Sequence, residues 1–148
     1  MKLVFTKGPG KWDRLEISRP GRAPEQIECP KQGIIPHDMV HYAVEHTLDL
    51  RGFLRRVGDG EAATFQMQAE AQSDAVERLV EVIQGDQWSG GQSAPTEMLA
   101  LYQLTCEARQ CPALALDEAA ILAIRAEIAR LSAAWNAVPV GQSLSLQM

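Results

Sequence analysis

No stretch of this 148-residue chain stays apolar for the about 18 residues that a membrane helix requires, so neither a transmembrane span nor a membrane partner is expected. Its opening, MKLVFTKGPGKWDR, is interrupted at Lys7 and Gly8, too early for the apolar core of a secretory leader. The three cysteines, Cys29, Cys106 and Cys111, form no C-x-x-C pair, which excludes a disulfide framework and a four-thiolate zinc site. Together these features predict a soluble, cytoplasmic protein in a reducing compartment. G-x-x-x-x-G-K-S/T, G-x-G-x-x-G and G-x-S-x-G are all missing, which removes the phosphate loop, the dinucleotide fingerprint and the serine-nucleophile elbow. There is no internal repeat and no low-complexity tract. Positive charge is scarce: 14 Lys and Arg stand against 19 Asp and Glu, a net charge of −5. Nucleic acid, which demands clustered positive charge, is therefore not an expected partner.

What is present is enough for a core. A hydrophobic share of 46% with 22% charged residues is that of a globular chain rather than a disordered one. The length predicts one domain, residues 1–148, that can bury roughly 68–70% of its unfolded surface without help from metal or disulfides.

The N-terminal third reads as strands. KLVFTK is rich in β-branched and aromatic residues. DRLEISR alternates with period two, and so does EQIEC. GPGK and PGRAP punctuate them as turns, which predicts an antiparallel meander. The glycines and lysines of KGPGK join two strands and open no helix, so that segment is read as a hairpin.

From Pro36 onward the pattern is helical. Val40, Val44 and Leu48 recur every four residues in a helix expected to continue to about Val57, where GDG stops it. Further helices are expected from Glu61 to Gln84, from Pro95 to about Arg109, and from Glu118 to about Asn136 with Asp117 as its N-cap. Cys106 and Cys111 straddle the end of the third and, lacking a partner base, read as structural thiols. Trp135 reads as core, while Trp88, in a Gly/Ser loop, reads as folding back onto the body. In SLSLQM, Leu144 and Leu146 alternate with polar residues. That C-terminal strand needs a partner, and the N-terminal meander supplies one. The expected fold is α+β: a small antiparallel sheet of three N-terminal strands plus a C-terminal strand, packed against three or four helices.

All three histidines lie in IIPHDMVHYAVEHTL, at positions 37, 41 and 46. On a helix His37 and His41 share one face at the edge of the apolar stripe, while His46 points the opposite way, to solvent. Two imidazoles one turn apart can hold a single divalent ion such as zinc. His37-Asp38-Met39-Val40-His41 resembles the H-E-x-x-H helix of zinc metalloproteases, with Asp38 in place of the glutamate. Aspartate is one methylene shorter, which puts its reach as a general base in question. Glu45 continues the spacing, but eight residues of helix span about 12 Å, too far for His37 and Glu45 to share one ion. Glu45 is instead expected to accept a hydrogen bond from His41 and orient it. The third ligand would come from Glu70, Asp74, Glu77 or Glu81 of the following helix, although an acidic stripe of that kind is usually a solvated face, and the two histidines read otherwise as a buried structural pair held by backbone carbonyls or a neighbouring carboxylate.

Two functions from different classes follow. One is association without catalysis, as a homodimer, with a basic strand region (net +3 over residues 1–33) and an acidic helical remainder (net −8). The alternative is a divalent-metal protein or metal-dependent hydrolase, with His37 and His41 as ligands and Asp38 and Glu45 as base or orienter.

Overall fold

Alternating side chains at the N-terminus do build strands. In the computed structural model, which describes residues 1–63 and 67–148, β1 is Lys2–Thr6, β2 Trp12–Ser18, β3 Glu25–Pro30 and β4 Ser143–Gln147. They form one antiparallel sheet in the order β3-β2-β1-β4. β4 therefore pairs with β1, and the two ends of the sequence meet, with Met148 N–H bonding Met1 C=O at 2.9 Å. Leu3, Phe5, Leu15, Ile17, Cys29 and Leu146 point into the core, while Lys2, Arg14, Gln26, Ser143 and Ser145 face out.

Five helices are present among the described residues: α1 (His37–Leu48), α2 (Phe53–Gly58), α3 (Ala71–Trp88), α4 (Pro95–Ala108) and α5 (Glu118–Asn136). α1 touches α2, α3 and α5, and α4 bridges α3 and α5. Phe5 of β1 meets Trp135 of α5 edge-on at 6.4 Å, and the Tyr42 hydroxyl of α1 donates to Gln147 C=O of β4 at 3.2 Å, which ties the helices to the sheet. The buried residues form one cluster running from the sheet through α1 to α5. No helix among the described residues is long and apolar enough to cross a membrane.

The fold corrects the expected helix boundaries in three places. α1 ends at Leu48 instead of running on to Val57. Asp49 takes the left-handed conformation (φ 52°), and the Leu50 N–H turns back to Glu45 C=O. The chain restarts as α2 after Gly52. The second correction is that α3 begins at Ala71, ten residues after Glu61. Residues 64–66 of that expected helix lie outside the described residues, and 67–70 are not helical. The third is that α3 runs on to Trp88, four residues past Gln84, so that Trp88 ends a helix instead of sitting in a loop. α4, α5 and the Asp117 cap, whose Oδ1 accepts from Ala120 N–H at 2.9 Å, fall where the sequence puts them.

Candidate metal centre

The break between α1 and α2 is where the site begins. α2 has a glycine at its N-cap and so no side chain of its own to cover its first N–H groups. Glu45, reaching over from α1, does this instead. Its carboxylate accepts from Gly52 N–H at 3.1 Å, Leu54 N–H at 3.1 Å and Arg55 N–H at 2.9 Å. A negative charge at a helix N-terminus is also favoured by the helix dipole. The approach is close enough that a β-carbon on residue 52 would lie 2.6 Å from the Glu45 carboxyl carbon and 2.6 Å from a Val76 methyl, which accounts for the glycine. Glu45 is completely buried, although the helical wheel places it on a polar flank.

The same carboxylate takes a fourth hydrogen bond, from His41 Nδ1 at 3.0 Å. An ionised carboxylate can only accept, so Nδ1 carries the proton and the ring's other nitrogen, Nε2, is turned outward. It meets Glu77 Oε2, on α3, at 2.7 Å. His41 is 2% exposed. Burial would lower its pKa, but the hydrogen bonds and charges of Glu45 and Glu77 outweigh that and raise it to about 10. Burial pushes the Glu77 carboxyl up, yet the His41 hydrogen bond, with the positive charges of His41, His37 and Arg78, holds it down at about 2. His41 is thus an imidazolium between two carboxylates.

His37 is oriented in the same sense by different means. Its Nδ1 lies 3.1 Å from Gln84 Oε1. Gln84 Oε1 also accepts from Gln32 Nε2 at 3.0 Å, and Gln32 Nε2 donates its second hydrogen to Ile35 C=O at 2.8 Å. The backbone carbonyl thereby fixes the polarity of the whole chain of amides: Gln84 presents oxygen, and His37 donates from Nδ1. His37 Nε2 is left facing Glu77 Oε1 at 3.5 Å. The two rings stand edge to face, with centroids 4.8 Å apart.

Both imidazoles therefore spend Nδ1 on the protein and turn Nε2 toward one carboxylate. The three ligand-type atoms of His37, His41 and Glu77 lie within 4.8 Å of one another. A tetrahedral ion with bonds of about 2.0–2.1 Å sets its donors about 3.3 Å apart. The 2.7 Å and 3.5 Å separations, each to a different oxygen of Glu77, lie on either side of that spacing, while the set of one atom per residue spans up to 4.8 Å. The three open onto a cavity of about 440 Å³ whose other walls are Ile27, Asp38, Phe53 and Ala63.

The residues singled out from sequence sort as follows. His37 and His41 come together. Asp38 lines the same cavity, where its carboxylate accepts from the Cys29 thiol at 3.5 Å. Glu45 stands behind His41, outside the cavity. Of the four acidic residues on or before α3, Glu77 faces the histidines, whereas Glu70 pairs with Arg51 and Glu81 with Arg78. His46 is exposed and stacks on Tyr42 at 4.9 Å. Sequence reasoning missed Gln84 and Gln32, although Gln84 lies two helical turns beyond Glu77 and therefore on the same face of α3. Trp88 is largely exposed, but its Nε1–H donates to Gln32 C=O at 2.8 Å, which steadies the loop carrying the amide relay. No known family, curated protein or solved structure matches this chain.

Proposed function

We propose that this is a divalent-metal protein of hydrolase type, with His37 Nε2, His41 Nε2 and a Glu77 carboxylate oxygen as ligands. The observation that carries this reading is the shared orientation of the two imidazoles. Each has Nδ1 committed to an acceptor of the protein and Nε2 aimed at the same carboxylate. Outer partners of that kind fix tautomer and ring angle in metal sites generally. Two histidines and one carboxylate are the donor set of catalytic zinc sites and of non-haem iron centres, and both leave positions free for substrate. A bound ion would supply Lewis acidity at the floor of the cavity. Asp38, a second carboxylate on the cavity wall, would serve as proton acceptor, while Ile27, Phe53 and Ala63 would limit water and favour a small, largely apolar substrate group. Glu45 would orient His41 and take no part in the chemistry.

The test is the metal content of protein purified without added metal and after incubation with zinc, manganese or iron(II), compared with a His37→Ala/His41→Ala variant. One equivalent of metal per chain, lost in the variant, supports the proposal. Failure of wild type to retain any of the three ions, together with no rise in its melting temperature on their addition, would make the imidazoles purely structural.

A second reading, association of copies of the chain, draws on the exposed Leu101 and Leu104 of α4 and Leu122 of α5. Sedimentation across a hundredfold concentration range tests it: a monomer throughout would dismiss it.

A further inference from the structure

We propose that Cys106 and Cys111 are a dithiol pair that closes reversibly to an intramolecular disulfide on reaction with a small-molecule disulfide. The argument is independent of the metal centre and starts from how α4 ends. In a continuing helix, residues five apart would point about 140° away from each other, at about 100° per residue. α4 does not continue. Gln110 takes the left-handed conformation (φ 54°). Cys111 N–H then bonds back to Cys106 C=O at 3.0 Å, and Gln110 N–H bonds to Glu107 C=O at 3.1 Å. This is the paired six-to-one and five-to-two pattern of a Schellman motif. In that motif the side chains at the two ends of the longer bond meet, and here both are cysteines. The six-to-one bond also draws their Cα atoms toward the range of about 4.4–6.8 Å that a disulfide accepts.

Both thiols are free. They differ in access: Cys106 is 1% exposed, whereas Cys111 is half-buried. That asymmetry sets the order of events. The Cys111 thiolate attacks one sulfur of the small disulfide, the S–S bond breaks, and one small thiol leaves with a proton. Cys106 sulfur then attacks the Cys111 sulfur of the mixed disulfide, and the second small thiolate leaves and takes up the proton that Cys106 loses. The two cysteines lose two electrons, and the small disulfide gains two. Cys29, buried against Asp38 elsewhere in the fold, takes no part and is an internal control.

The sequence supplies a direct readout. Arg109 lies between the two cysteines, so trypsin separates them into peptides 79–109 and 110–125. The full chain is equilibrated with mixtures of reduced and oxidised glutathione, quenched in acid, and digested without reduction. The expected result is a linked pair of these peptides that separates on reduction, with loss of two of the three thiols and retention of Cys29. In a Cys106→Ser variant, glutathione should remain attached at Cys111. Either a wild-type protein that stops at the Cys111–glutathione adduct, or one that retains all three thiols in fully oxidised glutathione, overturns the proposal. So does a disulfide formed between two chains, seen as a dimer on a non-reducing gel.

Discussion

Two buried carboxylates, Glu45 and Asp86, organise their surroundings in the same way and leave opposite results. Asp86, on α3, accepts from Arg125 Nε at 3.2 Å, Arg125 Nη2 at 3.1 Å and Ser93 N–H at 3.0 Å, while Arg125 Nη2 also donates to Ser93 C=O at 2.6 Å. A guanidinium has donors and no acceptor, so the cluster ends on itself and fastens the loop before α4 to α5. Glu45 likewise holds the backbone of a neighbouring segment and one basic side chain. That side chain is an imidazole, whose second nitrogen emerges on the far side, in a cavity, beside Glu77. The closed cluster serves the fold alone. The open one serves the fold and also exposes a ring nitrogen that can offer a lone pair once its proton is displaced. The comparison can be broken or sharpened experimentally.

The largest effect is expected at Glu45. Glu45→Ala strands three N–H groups of α2 and a buried imidazole, and should cost about 3–5 kcal/mol of stability in urea unfolding, together with the metal affinity. Asp86→Ala should cost less, about 1–3 kcal/mol, because part of Arg125 can turn to solvent. It should leave metal affinity within twofold of wild type. If the Asp86 variant lost the metal as completely as the Glu45 variant, the distinction between closed and open clusters would be wrong.

How much of this could be read in advance follows from the same contrast. The hairpins and the returning C-terminal strand were legible, because period-two alternation and Gly-Pro turns are local signals. The pairing of His37 with His41 was legible for the same reason, since one helical turn fixes it. The end of α1 was not. The apolar pattern runs on through Phe53, Leu54 and Val57, and no glycine marks the break at Asp49. What stops the helix is the capture of α2's N–H groups by Glu45, a tertiary event. Nor could the choice of Glu77 among four carboxylates be made without the packing of α3 on α1. Gln84 was invisible, because an amide has no motif and its role exists only through Gln32 and a backbone carbonyl.

A gentler perturbation is pH, since titration moves a proton and leaves every heavy atom in place. His41 is raised from 6.5 to about 10. A raised folded-state value means its stabilisation is complete below pH 6.5 and is lost as pH climbs toward 10. Glu77, lowered from 4.5 to about 2, contributes fully above pH 4.5 and loses its contribution as pH falls toward 2. Metal-free protein should therefore weaken steadily from pH 6.5 upward, and His41→Ala should remove that slope while Asp86→Ala keeps it. The added stabilisation by saturating zinc should rise over the same interval, because the ion displaces the His41 proton. Parallel slopes with and without metal would mean that the imidazole does not bind the ion.

The smallest expected effect is the most specific. Gln84→Leu removes the acceptor that fixes His37 Nδ1 but keeps a buried side chain of similar size on α3. His37 is 38% exposed, so water can satisfy the freed N–H, and stability should change by less than about 1 kcal/mol. The ring, however, is no longer held with Nε2 toward Glu77. Loss of such an outer partner typically weakens metal binding by about 10–100-fold, which competition against a chromophoric chelator resolves readily. Gln32→Leu, which removes the donor that polarises Gln84, should produce a weaker version of the same loss, since Gln84 could then rotate and present nitrogen to the ring. Unchanged affinity in both variants would show that His37 is oriented by something other than the amide relay.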